Sequence, residues 1–250
     1  MTRILAVHAH PDDVEILAAG TLTLLAEAGS HVTIVTMTAG DCGSVEMDLA
    51  ATGRVRQKEA AAAAAIIGAD YLCADFGDLC VFNDDASRRR TTELVRAAKP
   101  DIVITASPAD YHPDHEATSM LVRDAVFASS VPNYATGPSA ALAAIPHLYF
   151  MDPIEGRDRS GIRITPDFGV DITAQFETKA NMLAAHASQR NWVLKQHGID
   201  DYMLSMKKWS AKRGNMFGVT YAEGFRQYTG TPYPRTKQLQ DLVGGALLLP

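Results

Sequence analysis

The chain has 250 residues, 47% of them hydrophobic and 21% charged, a balance that supports one large domain with its own core and needs no covalent staple. Its net charge of −6 at pH 7 argues against a general nucleic-acid binder, which needs a basic surface to neutralise phosphates. No apolar run approaches the ~20 residues that a bilayer-spanning helix requires. The one sharp basic run, Arg88-Arg89-Arg90, reads as the solvated start of a helix. Cys42, Cys73 and Cys80 are odd in number and follow no structural zinc spacing, so they read as free thiols of a reducing compartment. Met1 to Ile4 leads directly into an apolar strand with no signal-peptide pattern. The expectation is a soluble cytoplasmic protein.

In chain order, residues 4–7 predict a buried strand, and residues 15–28 a helix that stops at Gly29. Residues 31–38 alternate β-branched side chains and predict a second strand. A polar loop rich in Gly, Asp and Ser follows to Gly53. An alanine-rich helix covers 54–67, with Gly68 as its stop. Residues 70–76 predict a third strand, 87–98 a helix closed by Lys99-Pro100, 102–106 a fourth strand and 116–128 a further helix. This alternation predicts an α/β fold: Rossmann-like and doubly wound, a mostly parallel sheet with helices on both faces.

Beyond residue 130 the pattern loosens. Residues 131–146 read as an irregular connection, 147–151 and 168–172 as strands, 173–191 as a helix and 201–212 as a shorter one. The tail from Thr229 reads as coil with a helical turn near Leu239. No repeat or low-complexity linker divides the chain, so the expectation is a single domain over 1–250, its core at about 3–130 and an irregular C-terminal extension over 131–250. Alanine-rich helices and the apolar Leu247-Leu248-Leu249 hint at subunit contact, hence a homo-oligomer.

Two polar clusters stand at strand ends. Ala9-His10-Pro11-Asp12-Asp13 follows the first strand, and Tyr111-His112-Pro113-Asp114-His115 follows the fourth. A catalytic divalent metal takes about three protein ligands and keeps a position open. His10 and Asp13 supply a nitrogen and an oxygen, with Pro11 stiffening the turn between them. His115, at the start of the next helix, is the candidate third ligand. Two nitrogens and one oxygen suit zinc, and also ferrous iron. Asp12, between two ligands, is placed to act as general base. His112 is placed across from it, to stabilise an oxyanion or protonate a leaving group, with Asp114 holding its ring. Each cluster alone also has a plain reading: Asp12, Asp13 or Asp114 could cap a helix, and Tyr-His-Pro-Asp is good turn chemistry. Their recurrence at two strand ends of one sheet favours the metal site. No G-x-G-x-x-G follows the first strand, which argues against a nucleotide-binding enzyme.

With AHPDD and HPDH come Thr38-Ala39-Gly40-Asp41, Arg56-Gln57-Lys58-Glu59-Ala60, His186-Ala187-Ser188-Gln189 and Tyr221-Ala222-Glu223-Gly224-Phe225-Arg226. Together they resemble the PIG-L/LmbE-like metal-dependent deacetylases, from about residue 3 to 228. The resemblance implies removal of an N-acetyl group from an N-acetylglucosamine-type sugar or glycoconjugate, giving acetate and an amino sugar. It implies a Zn2+ cofactor, with Fe2+ or another divalent metal as the alternative. It implies His10, Asp13 and His115 as ligands, Asp12 as base and His112 as acid or oxyanion partner. Arg56 would bind substrate oxygens, its other reading being an ion pair with Glu59; Asp41 and Asp78, in loops bordering the pocket, would contact sugar hydroxyls. His186 reads as a packing or polar contact, and Cys42 carries no assigned role. Val14 stands where the family often has Glu, and Ala19-Gly20 where it has Gly-Gly, departures that bear on the pocket rim. The alternatives are a deacylase of a thiol-sugar or antibiotic conjugate and a non-catalytic metal-binding protein. The expected partner is a small N-acetyl sugar, with no nucleic acid.

Overall fold

Apolar residues at both parities of the first strands commit both faces of their sheet to burial, and helices cover each side. The computed structural model describes residues 1–197 and 200–250. Strand β1 (Arg3–His8) pairs in parallel with β2 (His31–Thr38), which pairs in parallel with β3 (Asp70–Phe76). On its other side β1 pairs in parallel with β4 (Ile102–Thr105), and β4 with β5 (His147–Met151). Three strands complete the sheet in antiparallel fashion: β7 (Ala222–Gln227) on β5, β6 (Phe168–Asp171) on β7, and β8 (Leu247–Leu248) on β6. The order is β3-β2-β1-β4-β5-β7-β6-β8, so the expected doubly wound, mostly parallel arrangement is present.

Strand parity sorts the core. Ile4, Ala6, Ile34, Ile102 and Ile104 pack on one face with Leu22, Leu25 and Met182. Leu5, Val7, Val35 and Val103 pack on the other with Val95, Leu121 and Val126. Helices α1 (Asp13–Leu17), α2 (Ala19–Glu27), α3 (Leu49–Ala65) and α6 (Phe176–Ala184) lie on the first face; α4 (Asp85–Ala98) and α5 (Pro113–Ala128) lie on the second. Helices α7 (Ala187–His197), α8 (Asp201–Phe217) and α9 (Gln238–Val243) belong to the C-terminal part.

Several boundaries differ from the expectation, each for a physical reason. Helix α3 starts at Leu49, because Asp48 caps it by accepting the Ala51 N–H at 2.7 Å. The helix expected over 15–28 is two helices. The Glu223 carboxylate takes the N–H groups of Gly20 at 2.9 Å and Thr21 at 2.8 Å, so a fresh helix N-terminus forms there. A side chain at Gly20 would collide with Ile172. Residues 173–191 likewise divide into α6 and α7. Leu247 and Leu248, expected to hint at a subunit contact, pair with β6 of their own sheet. Among the described residues no helix is long and apolar enough to cross a membrane.

Candidate metal and catalytic centre

The chain leaves β1 toward β2 on one side, while β4 lies against the other. Between β1 and β4, therefore, the loops at their carboxyl ends diverge and leave a crevice, the usual ligand position in open α/β sheets. The first cluster leaves β1 there and the second leaves β4. They meet in a cavity of about 450 Å³ lined by His10, Asp12, Asp13, Asp78, His112 and His115, among others.

Three donor atoms converge. His10 Nδ1 lies 3.2 Å from Asp13 Oδ2, His115 Nε2 lies 3.3 Å from the same oxygen, and the two ring nitrogens are 3.3 Å apart. A tetrahedron with metal–ligand bonds of about 2.0–2.1 Å has edges of about 3.3–3.4 Å. The triangle has the size of one face of that tetrahedron, so this donor set fits a small divalent cation. The rings are oriented from behind. His10 Nε2 is 3.0 Å from Asp78 Oδ1 and 3.4 Å from Asp114 Oδ2. His115 Nδ1 is 3.1 Å from Asp110 Oδ1. Asp13 Oδ2 also receives the His10 N–H at 2.8 Å and contacts His8 Nδ1 at 2.7 Å. Carboxylates behind imidazoles fix tautomer and direction and raise ligand basicity.

The electrostatics point to a cation. Burial works against the charged form of His115, yet Asp13 and Asp110 outweigh it and push its pKa up to about 9. Burial is likewise overcome at His10, whose pKa Asp114, Asp13 and Asp78 hold well above the imidazole range. For Asp13, burial raises the pKa, but His115, His8 and His10 together hold it well below the carboxylate range. A buried pocket whose carboxylates draw protons onto imidazoles is one in which positive charge is stabilised.

Asp12 is held apart from this triangle. Its backbone takes φ 102°, a left-handed conformation costly for a residue with a Cβ. Arg56 braces it: Nη2 donates to Pro11 O at 2.7 Å and to Asp12 Oδ2 at 3.3 Å, and Nη1 donates to Gly40 O at 2.9 Å. Gly40 is required here, since a Cβ at that position would overlap the guanidinium. The Tyr202 hydroxyl donates to Asp12 Oδ2 at 2.8 Å. Burial raises the Asp12 pKa, against the pull of Arg56 and Tyr202.

His112 occupies the N-cap of α5, and its Nδ1 accepts the Asp114 N–H at 3.2 Å. A ring nitrogen that accepts from a backbone N–H carries no proton, so neutral His112 carries its proton on Nε2. Its ring lies 4.7 Å from that of His10 and 4.8 Å from that of His115. Burial, with the charges of His10 and His115, lowers its pKa.

One expected contact takes another form, and three residues expected to meet substrate are also engaged by protein groups. The Asp114 carboxylate accepts the Leu79 N–H at 2.7 Å and faces His10, so His112 is held by the Asp114 backbone and not by its side chain. Arg56 is buried and lines the cavity, its Nη1 and Nη2 held by Asp12 and two carbonyls while Nε has no partner among the described residues; Glu59 receives Ser188 in place of an ion pair with Arg56. Asp78 is engaged by His10 and by the Cys42 N–H at 3.2 Å. Asp41 accepts the Asp78 N–H at 3.3 Å, which makes it a support for that loop. Cys42 lines the cavity as a free thiol, and His186 lies buried 3.4 Å from Glu15. The sequence reading did not include His8, Asp110 or Tyr202 in the site. His8 was signalled by its place two residues before His10 on one strand face; Asp110 and Tyr202 carry no local signal.

Comparison with known proteins places these features in context. Residues 5–126 match the family described as PIG-L, GlcNAc-PI de-N-acetylase. Diacetylchitobiose deacetylase of Thermococcus kodakarensis is 27% identical, with 91% of this chain and 84% of the relative covered. A 1D-myo-inositol 2-acetamido-2-deoxy-alpha-D-glucopyranoside deacetylase of Nakamurella multipartita is 30% identical, with 75% of this chain and 79% of the relative covered. The crystal structure of 4-carboxy-2-hydroxymuconate hydratase from Pseudomonas putida KT2440 has a TM-score of 0.75 at 25% identity, covering 94% of this chain and 98% of that one.

Proposed function

This chain belongs to the PIG-L family of de-N-acetylases, and on that premise we propose that it removes the N-acetyl group of an N-acetylglucosamine-type sugar with a divalent metal, zinc for preference. The observation that carries the reading is the 3.2–3.3 Å triangle of His10, Asp13 and His115, which suits two nitrogens and one oxygen around Zn2+. When bound there, the cation supplies Lewis acidity, lowering the pKa of water toward about 7 and polarising a carbonyl.

The remaining chemistry belongs to side chains. Asp12, its carboxylate fixed by Tyr202 and Arg56, takes a proton from the attacking water; its raised pKa makes it a better base than a solvated aspartate. His112 presents Nε2–H to the oxygen that gains charge, a contribution of about 3 kcal/mol for one well-placed donor. Because the backbone N–H at Nδ1 disfavours the doubly protonated ring, the proton held by Asp12 is the one returned to the departing nitrogen. Water and amide become acetate and amine, with the proton count closed. Three free thiols accord with a reducing, cytoplasmic setting.

The experiment combines metal analysis of the purified protein with an acetate-release screen over N-acetylglucosaminides, run beside a hydration assay on 4-carboxy-2-hydroxymuconate. About one divalent metal per chain with stoichiometric acetate release supports the reading. Hydration without acetate release moves the protein to the chemistry of its hydratase relative.

A further inference from the structure

A second cavity, of about 690 Å³, shares no lining residue with the catalytic one. Its size is that of a small-molecule site. The walls come from the last turns of α5, from the connection that follows α5 and from the segment after β7. They are largely aromatic, with Phe127, Tyr134, Tyr228 and Tyr233 among them. Tyr228 and Tyr233 meet edge to face with ring centroids 4.7 Å apart, and the Tyr233 hydroxyl is anchored on Arg123 O. Phe127 leaves 45% of its surface exposed. The Tyr134 hydroxyl is buried without a hydrogen-bond partner, a state that costs free energy until an acceptor reaches it. The proposed hydrolysis uses none of these residues.

The charged part of the lining is Arg88, Arg123 and Asp124, two guanidinium groups to one carboxylate. Arg123 donates through Nε and Nη2 to Asp124 Oδ1 at 3.0 and 2.9 Å, which leaves its Nη1 edge open among the described residues. Arg88 Nη2 donates to Asn83 Oδ1 at 2.9 Å, and its Nε stands 3.9 Å from Asp124 Oδ2. Asp124 Oδ2 already accepts Asn83 Nδ2 at 2.8 Å. The aspartate is therefore engaged on both oxygens, and one positive charge is left over. A guanidinium fork matches a planar carboxylate. An ammonium group would meet two guanidinium groups, and a dianionic phosphate would be pressed against Asp124. The aromatic corner favours a ring over a saturated chain, because ring edges and faces gain from one another beyond the area they bury.

We infer that this cavity is a second ligand site, separate from the catalytic one, for a small aromatic carboxylic acid: its ring lies among Phe127, Tyr134 and the Tyr228–Tyr233 corner, and its carboxylate meets Arg123 and Arg88. The inference goes beyond the de-N-acetylase reading and does not depend on it.

Isothermal titration calorimetry of the zinc-loaded protein tests this with three probes. These are 2-naphthoate, 2-naphthalenemethanol (the ring without the charge) and octanoate (the charge without the ring). The site predicts saturable binding of one 2-naphthoate per chain, with the other two weaker by about 10-fold or more. Arg123→Gln is expected to weaken 2-naphthoate by about 10-fold and leave the alcohol within about 3-fold, a split that a collapsed cavity would not give. Arg88→Gln repeats the test on the second guanidinium, and Phe127→Ala is expected to weaken both ring probes together. No saturable binding, equal affinity for all three probes, or variants without effect overturn the inference. Binding of 2-naphthoate that is lost on chelation, or that N,N'-diacetylchitobiose displaces, puts the probe on the metal-ligand triangle and also overturns it. So does an oligomer, seen by sedimentation, that Phe127→Glu dissociates, because a second copy of the chain would then fill the cavity.

Discussion

Replacing Lys179 by methionine perturbs the tie between the C-terminal part of the chain and the helices that carry the first cluster. Lys179 is fully buried, and its Nζ donates to Glu223 Oε1 at 2.6 Å and to Ile16 O at 2.7 Å. Glu223, on β7, is 3% exposed and also holds Gly20 N, Thr21 N and Thr21 Oγ1. Methionine fills a similar volume, so the main effect is a carboxylate left buried without its counter-charge. Breaking such a pair from one side costs about 3–5 kcal/mol, out of a total stability of about 5–15 kcal/mol. For a chain of this length that is a fall in Tm on the order of 10 °C. Adding Glu223→Gln removes the stranded charge while keeping one acceptor, and the double variant is expected to regain about half of the loss or more. Urea unfolding followed by circular dichroism reads both quantities, and one transition is expected, because we take the sheet and its C-terminal strands as a single domain. A cost below about 1 kcal/mol for Lys179→Met, or a double variant whose losses simply add, would refute the reasoning.

Other consequences follow from the site. Asp12→Asn removes the base but no donor of the triangle, so metal content by mass spectrometry stays at the wild-type level while acetate release falls by about 100- to 10,000-fold. His112→Ala keeps the metal and lowers kcat by about 100- to 1,000-fold with little change in KM; an effect confined to KM would remove His112 from the reacting atoms. In chelator-treated protein His115 has its pKa raised from 6.5 to about 9, so the folded state holds a proton that the unfolded chain releases earlier. That stabilisation is complete below about pH 6.5 and is lost as pH rises through about 9. Thermal melts of the metal-free protein are expected to fall across this window, and a Tm rising with pH there would contradict the assignment.

The parts of this molecule legible in its sequence are those set by local pattern. Ile4 to Val7 and Ile102 to Ile104 are uninterrupted apolar runs, and no surface loop needs them, so the parallel centre of the sheet followed. The two clusters were legible because imidazoles and carboxylates at strand ends have little packing use. Strand β7 was not, for its sequence Ala-Glu-Gly-Phe-Arg-Gln puts charges where a buried strand normally has none; Glu223 is spent on Lys179 and a helix N-terminus, and Arg226 donates to Ser107 Oγ at 2.7 Å. The break at Ala18 depends on that same Glu223, 203 residues from Gly20, and no window of sequence contains both. The same holds for Tyr202, 190 residues from the carboxylate it contacts. Asp114 shows a finer limit: its proximity to His112 was evident, while the direction of its carboxylate depended on the Leu79 N–H brought in by the loop after β3.

The central claim is that His10, Asp13 and His115 hold one divalent cation. X-ray absorption at the zinc edge of the loaded protein reads the donor atoms around the metal. The account predicts nitrogen and oxygen neighbours at about 2.0–2.1 Å, with outer-shell scattering from two imidazoles that falls to one in His115→Ala. A sulfur neighbour at about 2.3 Å, which would place the cation on Cys42, or a spectrum without imidazole scattering, would contradict it.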